Sequence, residues 1–207
     1  APATRPSSMT GRPPLRFVKA PCVVMPISVP MSAGAAPEGP AIEVEETGTT
    51  FRENADLKST QQAVHLNRWV LGEDSGLSVA YLDGAPGVYS ARFSGDGATD
   101  ASNNALLLER LDGVPLTQRG AWYTCHMSLS DPAGNVRINC EAQCHGRILA
   151  APRGDAGFGY DPLFEIPEYD LTFAQLGGDV KSVLSHRARA NRAFVPHLLA
   201  IVNALPS

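Results

Sequence analysis

Cysteine is scarce in this chain. Its four thiols in 207 residues, Cys22, Cys125, Cys140 and Cys144, are too few and too clustered for the disulfide framework of a small secreted domain, so reduced thiols are expected. No apolar run approaches the length that would span a bilayer. An excess of positive charge is also missing: 17 Lys and Arg stand against 21 Asp and Glu, a net charge of −4, which argues against a broad nucleic-acid-binding surface. A small anionic ligand could still meet a local cationic pocket. The first 40 residues lack both acid and periodicity, holding Glu38 as their single acidic residue and nine of the seventeen prolines. Arg5, Arg12, Arg16 and Lys19 there give the charge of a transit peptide, but the prolines would break the amphipathic helix such a peptide uses. Residues 1–41 are therefore expected to be a Pro-rich tail, and 42–207 one domain of a cytoplasmic protein.

Past that segment the pattern becomes regular. Thr49 or Thr50 is a plausible N-cap for a helix running to about His65, which places Asn54 and Lys58 four apart on one face. The stretch "RWVLGEDSGLSVAYL" reads as two short strands broken at Asp74-Ser75-Gly76, and "TDASNNALLLERL" as a helix burying Ala101, Ala105, Leu108 and Leu111. The clearest element is a hairpin. Tyr123, Cys125, Met127 and Leu129 alternate with polar residues, "DPAGN" turns the chain, and Val136, Ile138, Cys140, Ala142 and Cys144 alternate again. That period also disposes of "CEAQCH" as a zinc site, because His145 points away from the face that carries both cysteines. A glycine-rich loop, "PRGDAGFGYDPLF", precedes a short helical lead-in and a C-terminal helix interrupted or kinked near Pro196. Interleaved helices and strands define an α/β fold with a mixed sheet.

Four constellations carry chemistry. In "EDSGL", Glu73 and Asp74 precede Ser75 at a strand end, and alternation lets only one carboxylate enter a cleft. A solvent-exposed Asp-Ser-Gly turn is the plain alternative. Glu43, Glu45 and Glu46 in "EVEETG" are hard oxygen donors of the kind Mg²⁺ accepts beside phosphates, or else a solvated acidic loop. Phe158 in "GFGYD" offers a ring on which a planar base could stack, with Gly157 and Gly159 permitting close backbone approach; the alternative is a packed core aromatic. Finally, "KSVLSHRARA" supplies Lys181, His186 and Arg187, cationic donors that could equally be a helix-start charge cluster.

In this order and spacing, "EETGTTFRENADLK", "EDSGLSVAYLDGAPGVYSARFSG", "PRGDAGFGYDPLF" and "VLSHRARA" closely resemble the inosine triphosphate pyrophosphatase family, over about residue 42 to the C-terminus. The resemblance implies an elongated, two-lobed α/β fold with a long mixed sheet, usually dimeric. It also implies Mg²⁺-dependent cleavage of ITP, dITP and XTP to the monophosphate and pyrophosphate. By motif position, Asp74 is the proton acceptor and a metal ligand, Glu45 the other metal carboxylate, and Ser75 and Lys58 substrate contacts. Phe158, Gly159, Tyr160 and Asp161 correspond to the base-binding loop, with Lys181, His186 and Arg187 as further base contacts. One family motif is absent: the N-terminal Ser/Thr-x-Asn-x-x-Lys loop, whose place is taken by the proline-rich stretch. Its loss predicts weak hydrolysis or none, and a purine-nucleotide-binding protein without turnover is the alternative. Pyrimidine or methylated-nucleotide pyrophosphatases of related architecture fit "GFGYDP" and "SHR" less well.

Overall fold

The computed structural model describes residues 25–26 and 41–204. Apart from Met25, Pro26 and Ala41, the expected tail lies outside the described residues, as does the place of the absent N-terminal loop. Six strands form one sheet in sequence order: β1 (Met25–Pro26), β2 (Val70–Val79), β3 (Gly120–Ser130), β4 (Val136–Ile148), β5 (Phe164–Ile166) and β6 (Leu171–Thr172). Four helices accompany it: α1 (Phe51–Leu66), α2 (Asp100–Arg110), α3 (Phe173–Leu184) and α4 (His186–Ala204). The α/β class holds; where a mixed sheet was expected, every pairing among the described strands is antiparallel, each strand pairing with its neighbour in sequence.

Thr50, rather than Thr49, caps α1. Its hydroxyl accepts from the Glu53 amide at 3.1 Å while the Glu53 carboxylate accepts from the Thr50 amide at 3.1 Å, a reciprocal box that satisfies two orphan donors. The buried face of α1 is small and polar, made of Asn54, Ala55, Lys58, Ser59, Gln62 and Ala63. It lies on the equally polar face of β2 and β3, where Ser59 meets Ser130 at 2.9 Å and Ser128 donates to Asp56. Gly72 makes this approach possible, since a Cβ there would stand 2.5 Å from the Ala55 carbonyl oxygen and 2.7 Å from the Ser59 nitrogen.

The other sheet face is apolar and carries α3 and α4. The hairpin follows its expected alternation, with Cys125, Met127, Leu129, Ile138, Cys140 and Cys144 buried on it. Cys140 and Cys144 thus pack in the core, and His145 is exposed on the far side. Two apolar clusters occupy opposite ends of the hairpin: Leu71, Met127, Leu129, Ala190 and Phe194 at one, and Leu77, Val79, Tyr123, Leu107, Phe164 and Phe173 at the other.

Three local expectations change. The two strands expected around Asp74-Ser75-Gly76 are one, because the ladder continues through Asp74–His126, Ser75–Cys125 and Gly76–Thr124. Gly76 is there for packing, as a Cβ would meet the Ser90 hydroxyl at 2.5 Å and the Gly87 carbonyl at 2.6 Å. In α2 the buried residues are Asn103 and Leu107, followed by Leu111, while Ala101 and Ala105 are exposed. A buried amide set the phase that an apolar count misplaced. Lastly, α4 runs on through Pro196; the chain breaks instead between α3 and α4 at Ser185 and within α3 at Gly177, where φ is +75°.

Candidate functional site

The middle of β2 holds a buried ionic centre. Lys58, one turn beyond Asn54 on α1, donates to Asp74 Oδ1 at 2.9 Å and to the Glu73 carbonyl at 2.9 Å, and pairs with Glu46 Oε1 at 2.9 Å. Asn54 Nδ2 donates to Asp74 Oδ2 at 3.2 Å, and Asn54 Oδ1 accepts from the Gly48 amide at 2.9 Å. Both oxygens of Asp74 are therefore oriented by α1. Burial opposes the lysine charge most strongly, yet Asp74 and then Glu46 together outweigh it and hold Lys58 above the ordinary lysine range.

The expected metal carboxylate Glu45 is not part of this centre. Residues 43 to 48 alternate in exposure: Val44, Glu46 and Gly48 are half-buried, and Glu43, Glu45 and Thr47 face solvent. Glu46 stands where Glu45 was expected. The sequence signal was available: Val44 and Glu46 are two apart, on the face that an apolar residue marks as inner. Ser75 likewise follows the strand period and lies on the opposite face from Asp74.

On that opposite face Glu73 receives a fork from Arg187: Nε at 2.8 and 3.0 Å and Nη2 at 2.6 Å. Glu73 thus serves both faces of β2, its carbonyl toward Lys58 and its carboxylate toward α4. Beside Arg187, His186 stacks on Tyr123 with ring centroids 4.8 Å apart and planes at 12°. Burial first, then the charges of Arg187 and Lys181, push His186 down to about 3, so its imidazole is neutral near pH 7. Its Nδ1 has no hydrogen-bond partner among the described residues.

The glycine-rich loop forms a second centre. Phe158 is 64% exposed, and Lys181 Nζ lies 4.3 Å from its ring centroid. Lys181 also pairs with the buried Asp161 carboxylate, which accepts from the Phe158 amide at 3.0 Å. Here the glycine at 157 is required: φ is +82°, and a Cβ would collide with the Asp161 carboxylate. Tyr160 is buried, its hydroxyl donating to the Ser90 carbonyl at 2.8 Å. Gly159, with φ at +61°, gives its amide to Asp100 Oδ2 at 2.6 Å and takes Asn104 Nδ2 on its carbonyl at 2.9 Å.

The structure therefore brings Lys58 to Asp74, Phe158 and Asp161 to Lys181, and Arg187 to Glu73, and stations His186 within electrostatic reach of Lys181. Glu46 and Glu73 stood among the candidate carboxylates but gave way to Glu45 and Asp74, whereas nothing in the sequence pointed to Asp100 and Asn104. As a class, this is an α/β protein with a buried carboxylate–lysine centre on one strand and an exposed ring beside a lysine on a glycine-rich loop. Such a pair of centres suits a small ligand with a charged end and a planar end.

Comparison with known proteins agrees. The sequence matches the Ham1 family over residues 24–197. It is 57% identical over 164 residues to the dITP/XTP pyrophosphatase of Rhodopirellula baltica, covering 79% of each chain. It is 49% identical over 149 residues to that of Synechocystis sp., covering 72% of this chain and 74% of the relative. Among solved structures, the Staphylococcus aureus Ham1 protein superposes with a TM-score of 0.72 at 41% identity, covering 77% of this chain and 81% of that one. A HAM1 protein from Coxiella burnetii gives 0.73 at 36% identity, with 77% and 82% covered. The chain belongs to the Ham1 family.

Proposed function

We propose that this protein is a nucleoside triphosphate pyrophosphatase that hydrolyses the nonstandard purine nucleotides ITP, dITP and XTP to the monophosphate and pyrophosphate, at a rate weakened by the absence of the N-terminal Ser/Thr-x-Asn-x-x-Lys loop. The observation that carries this reading is the Asp74–Lys58 pair, buried on β2 and α1 with its geometry set by Asn54, in a chain 57% identical to a dITP/XTP pyrophosphatase. Asp74 accepts the proton of the water that attacks the α-phosphorus. Lys58 turns from its carboxylates to the phosphates, and Asn54 holds Asp74 while it does so. No covalent nucleophile is needed.

The donor set suits Mg²⁺. A cation, the Lys58 ammonium, already sits among the hard oxygens of Glu46, Asp74 and the Glu73 carbonyl, each at 2.9 Å. Glu46 and Asp74 would hold the ion, which when bound neutralises charge on the triphosphate.

Base choice belongs to the second centre. Phe158 stacks on the ring system, and Lys181 donates to the 6-keto oxygen of hypoxanthine or xanthine. The 6-amino group of adenine would leave that donor unpaired, so ATP is a poor substrate. His186, neutral and with Nδ1 lacking a partner among the described residues, is suited to hydrogen-bond a polar edge of the base. Arg187 completes the set from its place on Glu73. A cytoplasmic enzyme suits action on free nucleotides, and the family likeness supports a homodimer, which light scattering would check. No helix of the described residues is long and apolar enough to cross a membrane.

The test is pyrophosphate release from ITP, XTP, dITP, ATP and GTP with Mg²⁺, for the chain and for Asp74→Asn. Turnover of the 6-keto nucleotides that disappears in the variant supports the reading. Binding of inosine monophosphate with no turnover of ITP would identify a binding protein instead.

A further inference from the structure

The loop that carries Phe158 has little regular structure to hold it. Beside the contacts of Asp161 and Tyr160, its fastening comes from α2, an element the proposed chemistry does not use. Asp100 and Asn104 are four residues apart and so share one face of that helix. Between them they take both polar groups of Gly159: Asp100 Oδ2 accepts from its amide at 2.6 Å, and Asn104 Nδ2 donates to its carbonyl at 2.9 Å. Gly159 adjoins Phe158, so fixing it in its left-handed conformation, φ +61°, fixes where the exposed ring points. The neighbouring residue Asn103 does the same for the segment against which Tyr160 is anchored. Its Oδ1 accepts from the Ser94 amide at 2.8 Å, and its Nδ2 donates to the Ser90 and Ala91 carbonyls at 3.4 and 3.2 Å. Ser90 is the residue whose carbonyl receives the Tyr160 hydroxyl. Asp100 stands in the first turn of α2, where a carboxylate is favoured by the helix dipole. Its bond to the Gly159 amide is charge-assisted and therefore among the stronger single contacts on the loop.

We propose that Asp100 and Asn104 are positioning residues for base recognition: they hold the Gly159 peptide, and through it the Phe158 ring, in register for the purine, and act on substrate affinity without touching substrate. This rests on the reading of Phe158 as the stacking ring. The Asp74–Lys58 centre is built from β2, α1 and the 43–48 segment, none of which contacts Gly159 through these bonds, so the chemical step is spared when they are cut.

The experiment compares the wild-type chain with Asp100→Ala, Asp100→Asn and Asn104→Ala. KM for ITP is expected to rise on the order of tenfold in each alanine variant, the loss of one hydrogen bond, charge-assisted for Asp100 and half-buried for Asn104, with kcat within about twofold. Asp100→Asn keeps an acceptor and recovers most of the affinity. Amide hydrogen exchange supplies a readout independent of turnover: residues 157–161 exchange faster in the alanine variants, while residues 70–79 of β2 keep the wild-type rate. Unchanged loop exchange overturns the proposal, as does faster exchange throughout the chain or an equal loss in kcat. Failure of the parent reading looks different: the wild-type chain would neither turn over ITP nor bind inosine monophosphate, yet the loop would still loosen in the variants.

Discussion

The two centres are built on different physical footings. Asp74 and Lys58 project from the middle of a ten-residue strand and a sixteen-residue helix, and their positions follow from strand period, helix period and the absence of a side chain at Gly72. Phe158 and Asp161 sit on irregular backbone held by scattered hydrogen bonds: Asp161 by the amides of Phe158 and Ala174 and by Lys181, Gly159 by two side chains of α2, Tyr160 by the Ser90 carbonyl and the amides of Leu163 and Phe164. On the proposed reading, proton transfer, which tolerates little misplacement, has the stiffer frame, and base recognition, which depends on a ring face and a few polar edges, has the frame that many separate residues can adjust.

The largest expected effect separates the two directly. Asp74→Asn should lower ITP turnover by roughly 10²–10⁴-fold, the range for loss of a general base. The protein should remain folded, since Lys58 keeps Glu46 and the Glu73 carbonyl. Steady-state pyrophosphate release alongside a thermal melt checks both halves. A variant that melts far below wild type would mean that the centre is needed for folding and that the contrast is misdrawn. Next in size is the acidic doublet. Glu46→Gln should cost at least about 10-fold, the lower end of what losing a group that merely orients a metal ligand costs, and should raise the Mg²⁺ concentration needed for half-maximal rate. Glu45→Gln, one residue away and facing solvent, should stay near wild type. A reversed order would return Glu45 to the centre.

The same contrast governs what could be read in the sequence. The hairpin and the capping of α1 were legible because period and cap chemistry act over a few residues: Cys125, Met127 and Leu129 alternate, and Glu53 stands three after Thr50. Asp74 and Lys58 were each legible by motif position, but not as partners: their pairing depends on α1 lying against β2, which no local pattern states. Glu46, a candidate beside Glu43 and Glu45, is separated from Glu45 only by phase, which the inward Val44 two residues before it marks. Asp100 and Asn104 were hidden for another reason. Their partner is a backbone peptide 55 and 59 residues away, and no local pattern announces it. Likewise α2 was placed a little out of phase, because its buried face includes Asn103, which an apolar count scores as outward.

Smaller than the carboxylate effects, but confined to the loop, is Gly157→Ala. A β-carbon at φ +82° strains the backbone and strikes Asp161, the carboxylate that holds Lys181 under the Phe158 ring. Strain of this kind costs about 1–3 kcal/mol. The loop can relieve it by giving up the Asp161 contacts, so the expected result is a raised KM for ITP and a lower preference for ITP over ATP, with kcat little changed. Kinetics on both nucleotides measure it. A fall in kcat with KM unchanged would show that the loop reaches the chemical step and that the two centres are mechanically one.

The smallest effect concerns pH, and the two centres should fail at opposite ends of the scale. Lys58 is raised by its carboxylates, so its contribution to stability is complete below the ordinary lysine value and is lost only as pH climbs through its folded value, in strongly alkaline solution. His186 behaves in the reverse sense. Buried against Tyr123, it titrates near 3 in the folded chain and near 6.5 when unfolded. Between those values the unfolded chain takes up a proton that the folded chain refuses, and folding weakens by at most about 1.4 kcal/mol for each pH unit below 6.5. Above 6.5 the term vanishes. His186→Phe keeps a ring against Tyr123 and cannot titrate, so denaturant midpoints measured at pH 7.5 and 5.5 should fall less in the variant than in wild type. Equal falls would mean that His186 reaches solvent in the folded protein. The neutral imidazole would then not be available to the base, and the second centre would rest on Phe158 and Lys181 alone.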